Sequence, residues 1–289
     1  MPSPDAPHVP LVALDTLWFQ VAGTLCNIAC THCFISCSPT NHAHELLTLA
    51  DVEPLLAEAR VLGVREYYFT GGEPFLNREL LPILEATLRQ GPATVLTNGM
   101  LLRADVCREL RALFDASEYS LDLRVSLDGF DAASHDAIRG AGVWERVMTG
   151  LRNLVDAGLN PAITVTTAAE GVATSDGRAR FLELIRNFGF ARPRLKVLPL
   201  FRIGAEETRT RAYEDWERLT SDALTSDDAK VLQCSSCRMV TSRGVYVCPI
   251  LIDEPGARMG ATLAETLRPF PLRYGACHTC WVDGVTCTT

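Results

Sequence analysis

Basic side chains are scarce in this chain, and lysine is the scarcest. Its 289 residues hold 27 Lys and Arg against 35 Asp and Glu, a formal net charge of −8, and the only lysines are Lys196 and Lys230. A nucleic-acid partner needs a basic face, so this balance argues against one. It is compatible with a cationic small substrate. Long apolar runs are missing too: none approaches the roughly 18 residues that a bilayer-spanning helix needs. The opening residues, MPSPDAPHVP, lack the basic start and apolar core of a secretory signal, so no membrane role and a cytoplasmic setting are expected. Low-complexity segments are absent, as are internal repeats beyond a rhythm of strands and helices.

Cysteine, by contrast, is abundant. There are 11, at positions 26, 30, 33, 37, 107, 234, 237, 248, 277, 280 and 287. A chain this long does not need a disulfide scaffold, and an odd number in two clusters points instead to metal binding or catalysis in a reducing compartment. Cys107 sits at an apolar-spaced helical position and reads as core. Cys37 reads as packing beside the first cluster, and His32 as a structural residue within it.

The chain alternates strand and helix. LWFQVA (17–22), EYYFTGG, ATVLTNG, LDLRVSLDG, PAITVTT and RLKVLPL are strand candidates. Between them, LADVEPLLAEARVLG (49–63) and four further segments carry helical spacing, several closed by glycine. Such alternation builds a parallel sheet covered by helices. Six units fall short of the eight of a closed barrel. The expected fold class is therefore α/β, a partial (β/α)6 barrel with a small cysteine-rich C-terminal domain. The expected division is an N-terminal extension (1–15), the barrel (16–205), a polar helical linker (206–230) and a tail (231–289) too poor in apolar residues to fold without a metal site. Chemistry in such folds sits on loops after the C-terminal ends of strands.

Directly after the first strand comes LCNIACTHCF, with Cys26, Cys30 and Cys33 spaced C-x3-C-x2-C. Three thiolates can hold a [4Fe–4S] cluster by three irons and leave the fourth open. A zinc site is the competing reading, with His32 or Cys37 as fourth ligand, although structural zinc favours paired C-x2-C units. This loop followed by Phe34, then GGEP (71–74) after the second strand, TNG (97–99) after the third and VSLDG (125–129) on the fourth, resembles the radical SAM superfamily. The likeness spans about residues 15–205; its fifth-strand signature is degraded in PAITVTTAAE.

That resemblance implies a cluster on Cys26, Cys30 and Cys33 and S-adenosylmethionine as cofactor. Gly71, Gly72 and Glu73 would grip its ammonium group. Ser126 and Asp128 would serve its ribose and methionine ends, Leu198 its adenine, and Phe34 would complete the loop. A flavodoxin- or ferredoxin-type electron donor is implied as well.

The tail reads C-x2-C-x10-C, a gap, then C-x2-C-x6-C, with 39 residues between the two C-x2-C pairs where zinc ribbons have about 15–20. It resembles the shortened auxiliary-cluster tail of these enzymes, called twitch, a reduced SPASM domain. That implies a second [4Fe–4S] cluster, on Cys234, Cys237, Cys277 and Cys280. A ligand near Cys248 would instead free Cys234 or Cys237. If Cys248 is left over, its thiol could return a hydrogen atom to a substrate radical. Small twitch enzymes of antibiotic biosynthesis include an aminoglycoside dehydrogenase and an aminoglycoside epimerase. The expected activity is therefore epimerisation of a cationic glycoside with Cys248 as donor. Dehydrogenation, peptide maturation and a non-enzymatic zinc protein are the alternatives. Peptide maturation is disfavoured because no leader-binding segment precedes the first strand.

Overall fold

The computed structural model describes residues 6–169 and 171–284; Cys287 lies outside them. Six parallel strands run in chain order across the sheet: β1 (Thr16–Gln20), β2 (Glu66–Thr70), β3 (Ala93–Thr97), β4 (Leu121–Ser126), β5 (Ala162–Thr166) and β6 (Arg194–Leu198). Each pairs in parallel with the next, placing Trp18 beside Tyr68 and Thr164 beside Lys196.

Their sequences alternate. Leu17, Phe19, Tyr67, Phe69, Val95, Leu123, Val125, Ile163 and Val165 are buried in the apolar core. The intervening positions carry Gln20, Thr70, Arg124, Ser126, Thr164, Thr166 and Lys196. A parallel sheet covered on both faces reads as a continuous apolar run; alternation means that only one face meets helices. The polar face lines the interior of an open barrel.

Helices α1 (Leu49–Leu62), α2 (Leu80–Thr87) and α3 (Ala104–Ala116) follow the first three strands. Thr48 and Asp51 form a capping box at the start of α1, and Gly63 (φ 79°) ends it in the left-handed region. After β4 comes a helix that the sequence reading did not anticipate, α4 (Ala132–Arg139), opened by a capping box between Asp131 and Ser134. The sixfold rhythm then resumes with α5 (Val143–Asp156) and α6 (Ser175–Phe188).

Beyond β6 lie α7 (Ala205–Arg209), α8 (Ser226–Val231) and a strand, β7 (Cys237–Thr241), that pairs in parallel with β1. An antiparallel meander through β8 (Gly244–Tyr246) and β9 (Arg258–Gly260) extends the sheet to nine strands. The tail is thus hydrogen-bonded to the open edge of the barrel. Arg238 organises it from within: fully buried, it donates to the carbonyls of Cys234, Cys237, Thr266 and Arg268 at 2.6–3.3 Å. The short helix α9 (Gly275–Asp283) carries Cys277 and Cys280. Among the described residues no helix is long and apolar enough to cross a membrane.

Candidate active site and cysteine centres

The loop after β1 brings Cys26, Cys30 and Cys33 to one wall of a cavity of ≈ 230 Å³ at the barrel mouth. Gly71, Gly72, Ser126, Phe34 and Leu198 line the same cavity. Gly72 is required for packing: a Cβ there would stand 2.0 Å from the Leu25 carbonyl oxygen. The glycine turn is stitched to the cysteine loop by the amides of Gly72 and Glu73, which donate to Gly23 O and Leu25 O at 2.9 and 3.0 Å.

Glu73 and Asp128 stand behind the wall, not on it. The Glu73 carboxylate is fully buried and accepts from Thr97 Oγ1 (2.7 Å), the Asn98 amide (2.8 Å) and the Phe75 amide (3.2 Å). Burial pushes its pKa up to about 7, against the pull of those donors. The Asp128 carboxylate is equally buried. One oxygen takes the Thr166 amide and hydroxyl at 2.7 and 2.9 Å; the other takes His32 Nε2 at 2.7 Å and Arg139 Nε at 2.8 Å. Burial opposes its ionisation, but Arg139 and His32 prevail and hold it well below the usual carboxylate range. Gly129 lets this turn approach α4, since a Cβ would meet the His135 amide at 2.5 Å. Neither carboxylate is among the residues lining the cavity.

The thiols differ in readiness to ionise. Burial pushes Cys26 up to about 12 and Cys30 up to about 11, with Arg139 pulling Cys30 the other way. Cys33 is drawn below the usual thiol range, mainly by hydrogen bonding from the Cys37 side chain and also by the Cys37 amide at 3.3 Å. Cys37 therefore does more than pack: it lines the cavity and supports Cys33.

In the tail, Cys234, Cys248, Cys277 and Cys280 line a second, apolar cavity walled by Val247, Leu251, Phe270 and Leu272. Cys237 is not among its lining residues; it is buried on β7, its sulfur 3.9 Å from the Val247 carbonyl. The structure thus gathers Cys248, and not Cys237, with the other three expected ligands. Cys107 is buried in α3, in accord with a core role. No described cysteine is in a disulfide. Among the described residues no three His, Cys, Asp or Glu side chains converge closely enough to hold a single metal ion. Ligands of a cluster need not converge, since each binds a different iron.

Sequence reasoning missed Arg139 and His135, had Asn98 only as part of the TNG turn, and gave His32 too small a part. Arg139 and His135 both lie on α4, four residues apart on one face. The His135 ring accepts the Asp128 amide at 3.2 Å and packs edge-on against Trp144. The D-x-x-S capping signature at Asp131 would have revealed this helix.

An open α/β barrel with a three-thiol loop and a glycine turn at its mouth defines a class of enzyme. The family model of the radical SAM superfamily matches residues 21–192, well over half of the chain, and the chain belongs to that superfamily. Its members use a [4Fe–4S] cluster and S-adenosylmethionine and generate a 5′-deoxyadenosyl radical. The alternative of a non-enzymatic zinc protein falls with this finding.

Mycofactocin maturase MftC of Mycolicibacterium smegmatis is 31% identical over 166 residues, 57% of this chain and 40% of that one. GTP 3′,8-cyclase of Chlorobaculum tepidum is 31% identical over 213 residues, 68% of this chain and 61% of that one. The chain thus spans less than two thirds of either curated relative. Among solved structures, Streptococcus suis SuiB bound to S-adenosylmethionine superposes with a TM-score of 0.67 at 15% identity, covering 92% of this chain and 67% of that one; it shares the fold.

Proposed function

We propose that Cys26, Cys30 and Cys33 hold the cluster that binds S-adenosylmethionine, and that Cys234, Cys248, Cys277 and Cys280 hold an auxiliary [4Fe–4S] cluster. The observation that carries the first assignment is the shared wall of three thiols and the Gly71–Gly72 turn in one cavity. The donor set of four thiols lining one small apolar cavity supports the second. When bound, the first cluster and S-adenosylmethionine supply the radical that takes a hydrogen atom from an unactivated C–H bond.

The protein's own residues then do three things. Gly71 and Gly72 offer backbone to the methionine end, while Glu73 holds the neighbouring turn. Ser126 and Leu198 position the nucleoside. Phe34 and Phe201, in edge contact at 5.9 Å, help to screen the mouth from water. The polar inner face, with Thr164, Thr166 and Lys196, receives the substrate.

The finer expectation was epimerisation of a cationic aminoglycoside, of the neomycin C to neomycin B type, with Cys248 returning the hydrogen. Two placements weigh against it. Cys248 lines the tail cavity and not the barrel cavity. The ionisable groups other than thiols that line the barrel cavity, among the described residues, are His32, Arg124, Arg139 and Lys196, which offer an ammonium-rich sugar no carboxylate. We therefore favour net oxidation, the substrate losing two hydrogens: Cys234, Cys248, Cys277 and Cys280 would hold the cluster that would accept the second electron, and solvent would take the proton. A small molecule is the first substrate class; likeness to a maturase favours a peptide as the second. We place the reaction in the cytoplasm with a flavodoxin- or ferredoxin-type reductant.

Anaerobic turnover in deuterated water, read by mass spectrometry across candidate substrates including neomycin C, tests this. A product two hydrogens lighter is expected. A diastereomer carrying one deuterium would restore the epimerase reading. Absence of deoxyadenosine from the iron-loaded protein would overturn both.

A further inference from the structure

Each thiol of the front loop faces a donor: two come from distant parts of the chain, and the third is an amide four residues along the same loop. Arg139 Nη1 lies 3.9 Å from Cys30 Sγ, Asn98 Nδ2 lies 3.7 Å from Cys26 Sγ, and the Cys37 amide lies 3.3 Å from Cys33 Sγ. Each donor is itself held. The Asp128 carboxylate grips Arg139, at 2.7 Å from Nη2 and 2.8 Å from Nε. The Glu73 carboxylate fixes the Asn98 amide, and the Asn98 side chain is further aimed by Asn27 Oδ1 (2.7 Å) and the Met100 amide (3.0 Å). The Cys37 amide is turned toward Cys33 by Ser36, whose φ of 54° makes it the one non-glycine residue among those described in the left-handed region. Non-glycine residues accept that conformation only where the surroundings enforce it. The two acidic motif residues, Glu73 and Asp128, thus act as anchors for groups that face the cluster sulfurs.

We infer that Arg139, Asn98 and Cys37 form a preset donor shell for the front cluster, and that Arg139 is the positioning residue that fixes its reduction potential. Hydrogen bonds to cluster sulfurs and nearby positive charge stabilise the more negative, reduced form and raise the potential. Arg139 is the only one of the three donors that carries charge; it is 8% exposed, and although Asp128 pairs with it, Arg139 acts on Cys30 more strongly than that carboxylate does. The inference rests on the cluster assignment above, and its test separates the two.

The experiment is an EPR-monitored redox titration of the reconstituted holoprotein without S-adenosylmethionine, alongside iron and sulfide analysis. Arg139→Met should load the front cluster and titrate at a lower potential than wild type, and Arg139→Lys should recover part of the shift. Because Arg139→Met strands the Asp128 carboxylate, the double variant Asp128→Asn/Arg139→Met repeats the test with no buried charge left alone. Asn98→Ala, whose backbone amide still reaches Glu73, should give a smaller shift in the same direction. Unchanged potentials in the cluster-loaded double variant and in Asn98→Ala overturn the inference. So does an Arg139→Lys that loads the cluster but weakens only S-adenosylmethionine binding. A wild-type protein that takes up no iron on the front loop would instead overturn the cluster assignment.

Discussion

The two cysteine regions of this molecule are built on opposite plans. In the front loop, three thiols stand on the wall of a wide cavity, and each faces a polar donor, those of Cys26 and Cys30 from distant parts of the chain. In the tail, four thiols line a small cavity of ≈ 20 Å³ walled by Val247, Leu251, Phe270 and Leu272. Burial pushes Cys234 and Cys277 up, with their neighbouring thiols adding to the effect. A site that must admit a ligand leaves one position open and tunes the rest with polar groups. A site that only stores or passes electrons can be sealed in hydrocarbon. Three thiols on the wall of a wide cavity and four thiols around a small apolar one therefore imply different work.

The contrast can be broken most sharply at the ligands themselves. Cys30→Ala should abolish S-adenosylmethionine cleavage to background while leaving the tail's iron in place; deoxyadenosine release and iron analysis on the same sample check both halves. Cys248→Ala should lower the iron content from about eight to about four per chain, while Cys237→Ala should leave it near eight. The reverse pattern would return Cys237 to the ligand set and Cys248 to the role of donor.

The carboxylates behind the front loop should respond to pH in opposite senses. Asp128 has its pKa lowered in the fold, so its stabilising contribution is present above the ordinary aspartate value and disappears as acid protonates it. Asp128→Ala leaves Arg139 buried without its partner and should cost about 3–5 kcal/mol in denaturant unfolding at neutral pH. Glu73 is raised from 4.5 to about 7, so the fold prefers it protonated. Its contribution is full below pH 4.5 and is lost as pH rises through about 7, by up to ~3 kcal/mol. Urea midpoints measured from pH 5 to 8 should fall more steeply for wild type than for Glu73→Gln. The smallest effect is expected far from both sites. Gly63→Ala, at φ 79° with open space around the new Cβ, should cost about 1 kcal/mol and leave both iron contents unchanged.

Much of the barrel could be read from the chain. The helix Leu49–Leu62 fills its predicted segment up to the closing Gly63, and all six strands fall within their predicted stretches or one residue outside them. The extra helix α4 escaped because it is short and its polar sequence, AASHDAIR, has Ile138 as its only large apolar residue; its capping box announces it. The alternation of apolar and polar residues in β4 (LDLRVS) and β5 (AITVT) was also there to be read as a one-sided sheet, and hence as a polar cavity. The expected site residues divided in three dimensions. Gly71, Gly72, Ser126, Leu198 and Phe34 reached the cavity, while Glu73 and Asp128 settled behind it as anchors.

By itself the sequence determined the order of the elements, the side of the sheet where chemistry belongs, and the three-thiol loop, because periodicity and spacing are local properties. It left open which tail cysteines meet, which donors face the front thiols, and that Cys237–Thr241 joins the barrel edge beside β1. Those depend on contacts between residues far apart in the chain: 109 positions separate Arg139 from Cys30. No local pattern encodes such a meeting; it is decided only when the helices close on the sheet.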